Sequence, residues 1–365
     1  MRASDLPPKP RILVITLRRL GDVLLTTPLV RTLRRGFPDA RLEMLVFAGS
    51  ERILKGNPDI DEILTMRTRA TLGESIALLG RVFRRYDLVV STQAGDRPTF
   101  WAWLAGRRRI GIVAAEGDGA WWKRVLLDHA VAAEPEQHRV MELLRLSDCV
   151  GLERQLSQVP PQGAPSTAIV PQRPYAVIHI NPLYRYKRWT DAGWRGVARA
   201  LSERGLAVVA TEGREPADRT YADQVWESAD PPVIRERGQL DFGALAALLK
   251  EAAVYIGPDT SITHLAAACG CPTVALYGAT SPRLIGPWPV GGLSEPWQPA
   301  GTIQRRGNVW VVQNPLPCLP CEKLGCDGHL DSRAQCLDEL AVSQVMRAVD
   351  QALARQDATA VGVSR

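Results

Sequence analysis

Three short stretches carry residues whose types and spacing could do chemistry. In "GPDTSITHLAAACGCPTVALYG" (257–278), Asp259, Thr260, Ser261 and His264 stand where a short apolar run becomes an alanine-rich segment of helical composition, with Gly270 as its stop. Asp, Thr and Ser are good N-caps, because their oxygens accept the unpaired first-turn N–H groups, and on its own the stretch reads first as a capped helix. The same free amides and the positive end of the helix dipole bind phosphate, so an anion site is the sharper alternative. In "TLRRLGDVLLTTP" (16–28), Gly21 lets the backbone turn and approach a ligand, and Asp22 either caps a helix or stands in its first turn as a candidate general base. In "NPLYRYKRWTDAGW" (181–194), Tyr184, Arg185, Lys187 and Arg188 lie between a strand and a helix capped by Thr190. Such cations are usually solvated; in the mouth of a cleft they could neutralise a diphosphate.

Groups of this kind need strands and helices to aim them, and the chain alternates the two. "RILVIT" (11–16), "RLEMLVF" (41–47) and "YDLVVST" (86–92) have strand character, with helices expected over 22–37 and 136–151. The segment 157–174, rich in Pro, Gln and Ser, reads as a linker. The alternation then restarts with strands over 175–180, 206–211, 253–257 and 273–278 and helices over 191–205, 241–252 and after Asp259. This is the pattern of βαβ units on parallel sheets: an α/β chain with two doubly wound halves, a cleft between them, and ligands at the carboxyl ends of the strands.

Bulk properties agree with two domains. A chain of 365 residues exceeds one ordinary core, and 45% hydrophobic with 23% charged residues is the balance of a folded globular protein. No apolar run approaches the ~20 residues of a membrane span, and "MRASDLPPKP" lacks a signal peptide's apolar core, so a cytoplasmic location is expected. The charge of +6 and pI near 9.0 suit an acidic partner. Basic clusters at Arg18 and Arg19, Arg34 and Arg35, Arg84 and Arg85, and Arg107 to Arg109 lack the interleaved aromatics of a nucleic-acid site, and no nucleic-acid partner is expected. The signatures of dinucleotide dehydrogenases, P-loop enzymes, zincins and serine hydrolases are all absent from the sequence.

Together, "ILVITLRRLGDVLLTTPLVRTLRRGFPDARLEMLV", "YKRWTDAGW" and "GPDTSITHLAAACGCPTVALYG" resemble the lipopolysaccharide heptosyltransferases of glycosyltransferase family 9, from about residue 11 to about residue 345. The Leu-Arg-Arg-Leu-Gly-Asp opening is most similar to the heptosyltransferase III branch. The resemblance implies two Rossmann-like domains facing a central cleft, the GT-B type. It implies an acceptor-binding domain over 1–160, a linker over 161–174, a nucleotide-sugar domain over 175–340, and a C-terminal helix and tail over 341–365. It implies inverting, single-displacement transfer with Asp22 as base, Lys187 on the phosphates, Thr260 and Ser261 as diphosphate cradle, and Asp259 near the donor sugar. His264, one helical turn after Thr260, is either a ligand of the donor or a packed structural histidine.

Other positions stay open at this level. Glu215 could hold ribose hydroxyls as a carboxylate does in dinucleotide folds, or be an exposed loop acid. Gly21, Asp96 and Arg97 fall on the acceptor side, where Asp96 and Arg97 could equally cap a helix. The tryptophans of "GDGAWWKR" (117–124) could stack on sugar or lie at a membrane interface, with core packing as the default. Cys318, Cys321, Cys326 and Cys336 form a C-x2-C-x4-C-x9-C array beside His329, open to a structural zinc or to reduced buried thiols. No cofactor is required by the expected reaction.

The expectation is therefore transfer of L-glycero-D-manno-heptose from ADP-heptose to the inner core of lipopolysaccharide. Expected partners are the nucleotide sugar, the core-lipid A acceptor and an anionic inner-membrane surface, on which the protein would be peripheral. The alternatives are another nucleotide-sugar glycosyltransferase with a different donor or acceptor, a nucleotide-sugar epimerase, and a non-catalytic nucleotide- or glycan-binding protein.

Overall fold

The computed structural model describes residues 3–115, 121–164, 171 and 174–362, and the chain divides into two compact units, Met1–Pro161 and Gln162–Arg365. Most of the expected linker lies outside the described residues. The stretch leading into it is tied to the first unit, because the Gln155 and Val159 amides donate to Thr32 Oγ1 and Thr27 Oγ1.

The first unit is built on six strands: β1 (Arg11–Thr16), β2 (Arg41–Phe47), β3 (Glu62–Met66), β4 (Tyr86–Ser91), β5 (Gly106–Val113) and β6 (His129–Ala132). All pair in parallel, in the order β3-β2-β1-β4-β5-β6. Five of six residues of β1 are buried, as a central parallel strand covered on both faces requires. The order reverses beside β1, so the loops after β1 and β4 diverge there and open a crevice.

The second unit holds β7 (Tyr175–His179), β8 (Ala207–Thr211), β9 (Ile234–Glu236), β10 (Val254–Pro258), β11 (Thr273–Leu276), β12 (Ile303–Arg306) and β13 (Val309–Val312). Their order is β12-β13-β11-β10-β7-β8-β9, parallel except for the β12–β13 pair. The reversal point here lies between β7 and β10. The chain is α/β with two Rossmann-like sheets.

One expected helix is broken. Residues 20–36 form Leu20–Leu25 and Thr27–Gly36 rather than a single helix. Pro28 has no N–H for the Leu24 carbonyl, and Thr27 Oγ1 donates to that carbonyl instead at 2.7 Å. The expected helix over 136–151 is shorter, Arg139–Asp148, with His138 as N-cap through Nδ1. Gly270 follows the helix Ser261–Ala268 with a φ of +82°, the left-handed stop its position suggested.

Candidate active site

At the reversal point of the first sheet, a network of buried hydroxyls braces the turn that carries Asp22. Thr16, the last residue of β1, and Thr92, the residue after β4, face each other at 3.0 Å. Thr26 Oγ1 donates to the Asp22 carbonyl at 2.8 Å and lies 3.5 Å from Thr16 Oγ1. Gln93 bonds both the amide and the carbonyl of Leu17, holding the loop after β1 to the loop after β4. Arg139, almost entirely buried, donates to the Thr92 carbonyl at 2.5 Å and to Glu142 at 2.6 Å.

Asp22 itself stands in the first turn of Leu20–Leu25, whose N-cap is Arg19 and which has no side-chain cap. Its carboxylate is therefore not used for capping. The side chain is 12% exposed, with Oδ1 3.2 Å from Arg18 Nε. That contact is a charge pairing outside hydrogen-bond geometry, and Oδ1 is buried without a hydrogen bond among the described residues. Burial lowers the Arg139 pKa, with Glu142, Arg18 and Asp22 all near enough to act on its charge. Gly21 differs from the expectation: it is the second residue of the helix and makes no turn of its own.

Asp96 opens the helix Asp96–Ala105, but Gly95 is the N-cap and no side chain caps it, so the capping alternative fails. Asp96 pairs instead with the buried Lys123 at 2.8 Å, and Lys123 Nζ also donates to the Ala94 carbonyl at 2.7 Å. Arg97 donates to the Thr68 carbonyl.

In the second unit, Lys187 lies in a single 3-10 turn, Arg185–Lys187, after β7, and its ammonium pairs with the Asp259 carboxylate at the end of β10. Burial raises the Asp259 pKa, but the charges of Lys187 and His264, with hydrogen bonds from Lys187 and Thr280, outweigh it and hold the group below the ordinary carboxylate value. Tyr277, fully buried beside Asp259, keeps its proton well above the usual phenol value through burial and that carboxylate. Thr260 is the N-cap of Ser261–Ala268, its Oγ1 accepting from the Thr263 amide at 3.4 Å. Tyr255 OH meets Thr263 Oγ1 at 2.9 Å beneath the cap. A Cβ on Gly257 would come within 2.2 Å of that phenol oxygen, which explains glycine there. His264 is buried in the same helix. Lys187, Asp259, Thr260, Ser261 and His264 thus converge at the second reversal point. Arg188 turns the other way, its guanidinium 4.1 Å over the Tyr221 ring.

Glu215 is the N-cap residue of Pro216–Trp226, exposed and without a side-chain cap bond. The cysteine array does not form a metal-holding group: among the described residues no three or more His, Cys, Asp or Glu are so placed. Cys336 is buried, and burial with its three neighbouring thiols pushes its pKa up to about 11. Cys318 and Cys326 are exposed and Cys321 is half-buried, so the burial expected of the thiols is met at Cys336 alone. Residues the motifs did not single out include Thr16, Thr26, Thr92, Gln93, Arg139, Tyr277 and Thr280. One signal could have found three of them: both central strands of the first sheet run into threonine, and "TTP" repeats the type one helical turn after Asp22.

The family model described as Glycosyltransferase family 9 (heptosyltransferase) matches residues 78–292, more than half of the chain. The chain belongs to glycosyltransferase family 9. It is 29% identical over 286 residues to Lipopolysaccharide heptosyltransferase 3 of Escherichia coli, covering 73% of this chain and 83% of that protein. Lipopolysaccharide heptosyltransferase 1 of Pseudomonas aeruginosa is 26% identical over 346 residues, 87% of each. The crystal structure of a family 9 glycosyltransferase from Veillonella parvula superposes with a TM-score of 0.75 at 20% identity, covering 95% of this chain and 97% of that one. The E. coli ADP-heptose lps heptosyltransferase II superposes at 0.72 with 18% identity over 95% and 99%. These likenesses make the fold GT-B. Family 9 membership also decides for a transferase over an epimerase or a non-catalytic binder.

Proposed function

We propose that this family 9 glycosyltransferase transfers L-glycero-D-manno-heptose from ADP-heptose to the inner core of lipopolysaccharide, with inversion at the transferred carbon. The observation that carries the proposal is the Lys187–Asp259 pair at the N-terminus of Ser261–Ala268, a fixed cation and a row of first-turn amides suited to a diphosphate. The relatives named lipopolysaccharide heptosyltransferase support the sugar and acceptor class.

An acceptor hydroxyl is a weak nucleophile until its proton is removed. The Asp22 carboxylate, whose Oδ1 has no hydrogen bond among the described residues and only the Arg18 charge beside it, takes that proton as the hydroxyl oxygen bonds the anomeric carbon. The bond from that carbon to the β-phosphate oxygen breaks, and its electron pair leaves with ADP. Charge growing on the diphosphate is met by Lys187, Thr260, Ser261 and the helix amides, preorganised at no cost during the reaction. The Lys187 ammonium has three N–H donors, enough to serve Asp259 and a phosphate oxygen together. Glu215 takes the ribose hydroxyls, and the charge of His264 helps to keep Asp259 ionised. Gly21, Asp96 and Arg97 lie on the acceptor side. The acceptor is a lipid, so the protein works as a peripheral protein on the anionic cytoplasmic face of the inner membrane. Among the described residues no helix is long and apolar enough to cross a membrane.

The test is to incubate the protein with ADP-heptose and a core oligosaccharide lacking its branch heptose, following ADP release and acceptor mass. One added heptose is expected, with Asp22→Asn slower by about 10²–10⁴-fold while ADP still binds. An unchanged acceptor mass would refute the donor and acceptor; a near-normal Asp22→Asn rate would refute the base.

A further inference from the structure

The helices Leu72–Val82, Asp96–Ala105 and Trp121–Leu126 follow β3, β4 and β5 and pack side by side as one layer of the first unit. Their inner faces supply Leu78, Val82, Trp101, Ala102 and Ala105 to the core beneath. Their outer faces are unusual. Among the described residues of this unit, every exposed large hydrophobic side chain falls on this layer: Leu72, Ile76, Phe83, Phe100, Trp121 and Val125. Leu72 and Trp121 are 78% and 72% exposed, so the default of core packing for Trp121 is overturned.

The placement follows a pattern. At about 100° per residue, Leu72 and Ile76 fall within roughly 40° of arc and about 80° or more from Leu78 and Val82, so the first helix carries an apolar pair directed away from the core, while Leu79 packs partly against that core. Trp121 and Val125 are likewise four residues apart on one face. Exposed arginines accompany these side chains: Arg69, Arg97 and Arg124 on or beside the helices, and Arg84, Arg85 and Arg107 where the first helix runs out and β5 begins. None of them has an ion-pair partner among the described residues. The carboxylates on the layer are already used, Glu74 on Arg67 and Asp96 on Lys123.

We propose that this outer face docks on an anionic lipid surface, with the apolar side chains entering the headgroup boundary and the unpaired arginines meeting lipid phosphates. A protein partner would call for a contiguous apolar patch that excludes charge from its centre. Here single large side chains, a tryptophan among them, stand apart among arginines, the composition of interfacial membrane contacts. Six guanidiniums without an ion-pair partner among the described residues would repel a second copy of the same face, whereas an anionic leaflet attracts them. The inference rests on the membrane-peripheral location proposed above and assigns it to particular side chains.

The test is co-sedimentation of the full chain with phosphatidylglycerol-containing and with pure phosphatidylcholine vesicles at low and high salt. Transfer to a lipid-free core oligosaccharide is followed in parallel, so that loss of docking and loss of the transferase activity are read separately. Preferential binding to anionic vesicles is expected. Each arginine removed, as in Arg84→Gln, Arg85→Gln, Arg97→Gln, Arg107→Gln and Arg124→Gln taken one at a time, should weaken it about fivefold at low salt. Leu72→Ser with Ile76→Ser and Trp121→Ser should weaken binding about tenfold or more at any salt, with melting temperature and transfer to the lipid-free acceptor unchanged. Equal binding to neutral and anionic vesicles, or wild-type binding by the serine variant, would overturn the proposal. So would a wild-type dimer that the serine variant converts to monomer in sedimentation velocity, since the face would then serve a second copy.

Discussion

Replacing Lys187 with methionine keeps the side chain's length and removes its charge, leaving the Asp259 carboxylate buried without its main partner. Asp259 is 9% exposed and Lys187 22%, so the pair is shielded from water on one side more than the other. Breaking a fully buried pair from one end costs about 3–5 kcal/mol; the part-exposed lysine and the support left from His264 and Thr280 reduce this to roughly 2–3 kcal/mol. For a unit of this size that lowers its melting temperature by roughly 4–12 °C. The pH dependence has a definite sign. Asp259 is held below its ordinary pKa, so its ion pair contributes fully above the ordinary carboxylate range and is lost as pH falls through the folded value. The wild-type advantage over Lys187→Met should therefore be complete at pH 7 and shrink below about pH 4. Thermal melts across that range, with Asp259→Asn and the double variant completing a cycle, measure it. The double variant should be more stable than Lys187→Met alone, because it no longer buries an unpaired charge. Additive effects, or a Lys187→Met melt identical to wild type at pH 7, would refute the coupling. The same variant should bind ADP about tenfold or more weakly, since a charge-assisted contact to phosphate is lost.

Other expectations concern the supporting structure. His179 is fully buried between Thr211 Oγ1 and the Asn181 carbonyl, and burial lowers its pKa to about 4. The unfolded chain protonates near 6.5 and the folded one resists until about 4, so stability falls by up to about 3 kcal/mol as pH drops across that window; urea midpoints should show this slope flattened in His179→Gln. Thr27→Val removes the hydroxyl that serves both the Leu24 carbonyl and, as acceptor, the Val159 amide, and should cost about 1–3 kcal/mol by denaturant titration. Gly257→Ala would push the Tyr255 phenol off Thr263 and should lower ADP affinity together with the melting temperature, by calorimetry and thermal melt.

Much of this molecule is legible in its sequence because strand burial and capping are local. Val, Ile and Leu runs of four to six residues between helical segments announce parallel strands. Thr260 and Thr190 cap the helices their positions suggest, as local amide geometry demands. The strands β3, β5, β6, β9, β12 and β13 were not legible: β5 opens with Gly-Arg-Arg-Arg, a charged run that only its place beside β4 makes a strand. Nor was the split at Thr26 expected, though the proline that causes it is in plain view.

What the sequence determined by itself was the kind of chain and the identity of its reactive groups: two Rossmann-like sheets, a carboxylate after the first strand, and a lysine with a capped helix in the second half. What only the tertiary structure decided was who meets whom. Lys187 and Asp259 are separated by 72 residues, and the strand order β7–β10 puts them in contact. Arg139 lies 47 residues from Thr92 and helps to brace the turn of Asp22 only through the packing of its helix. The outward pair of Leu72 and Ile76 is invisible to periodicity, because an apolar helix face carries no mark of which side the sheet will take. Contact between distant residues follows from sheet topology, a property of the whole folded chain that no local window contains.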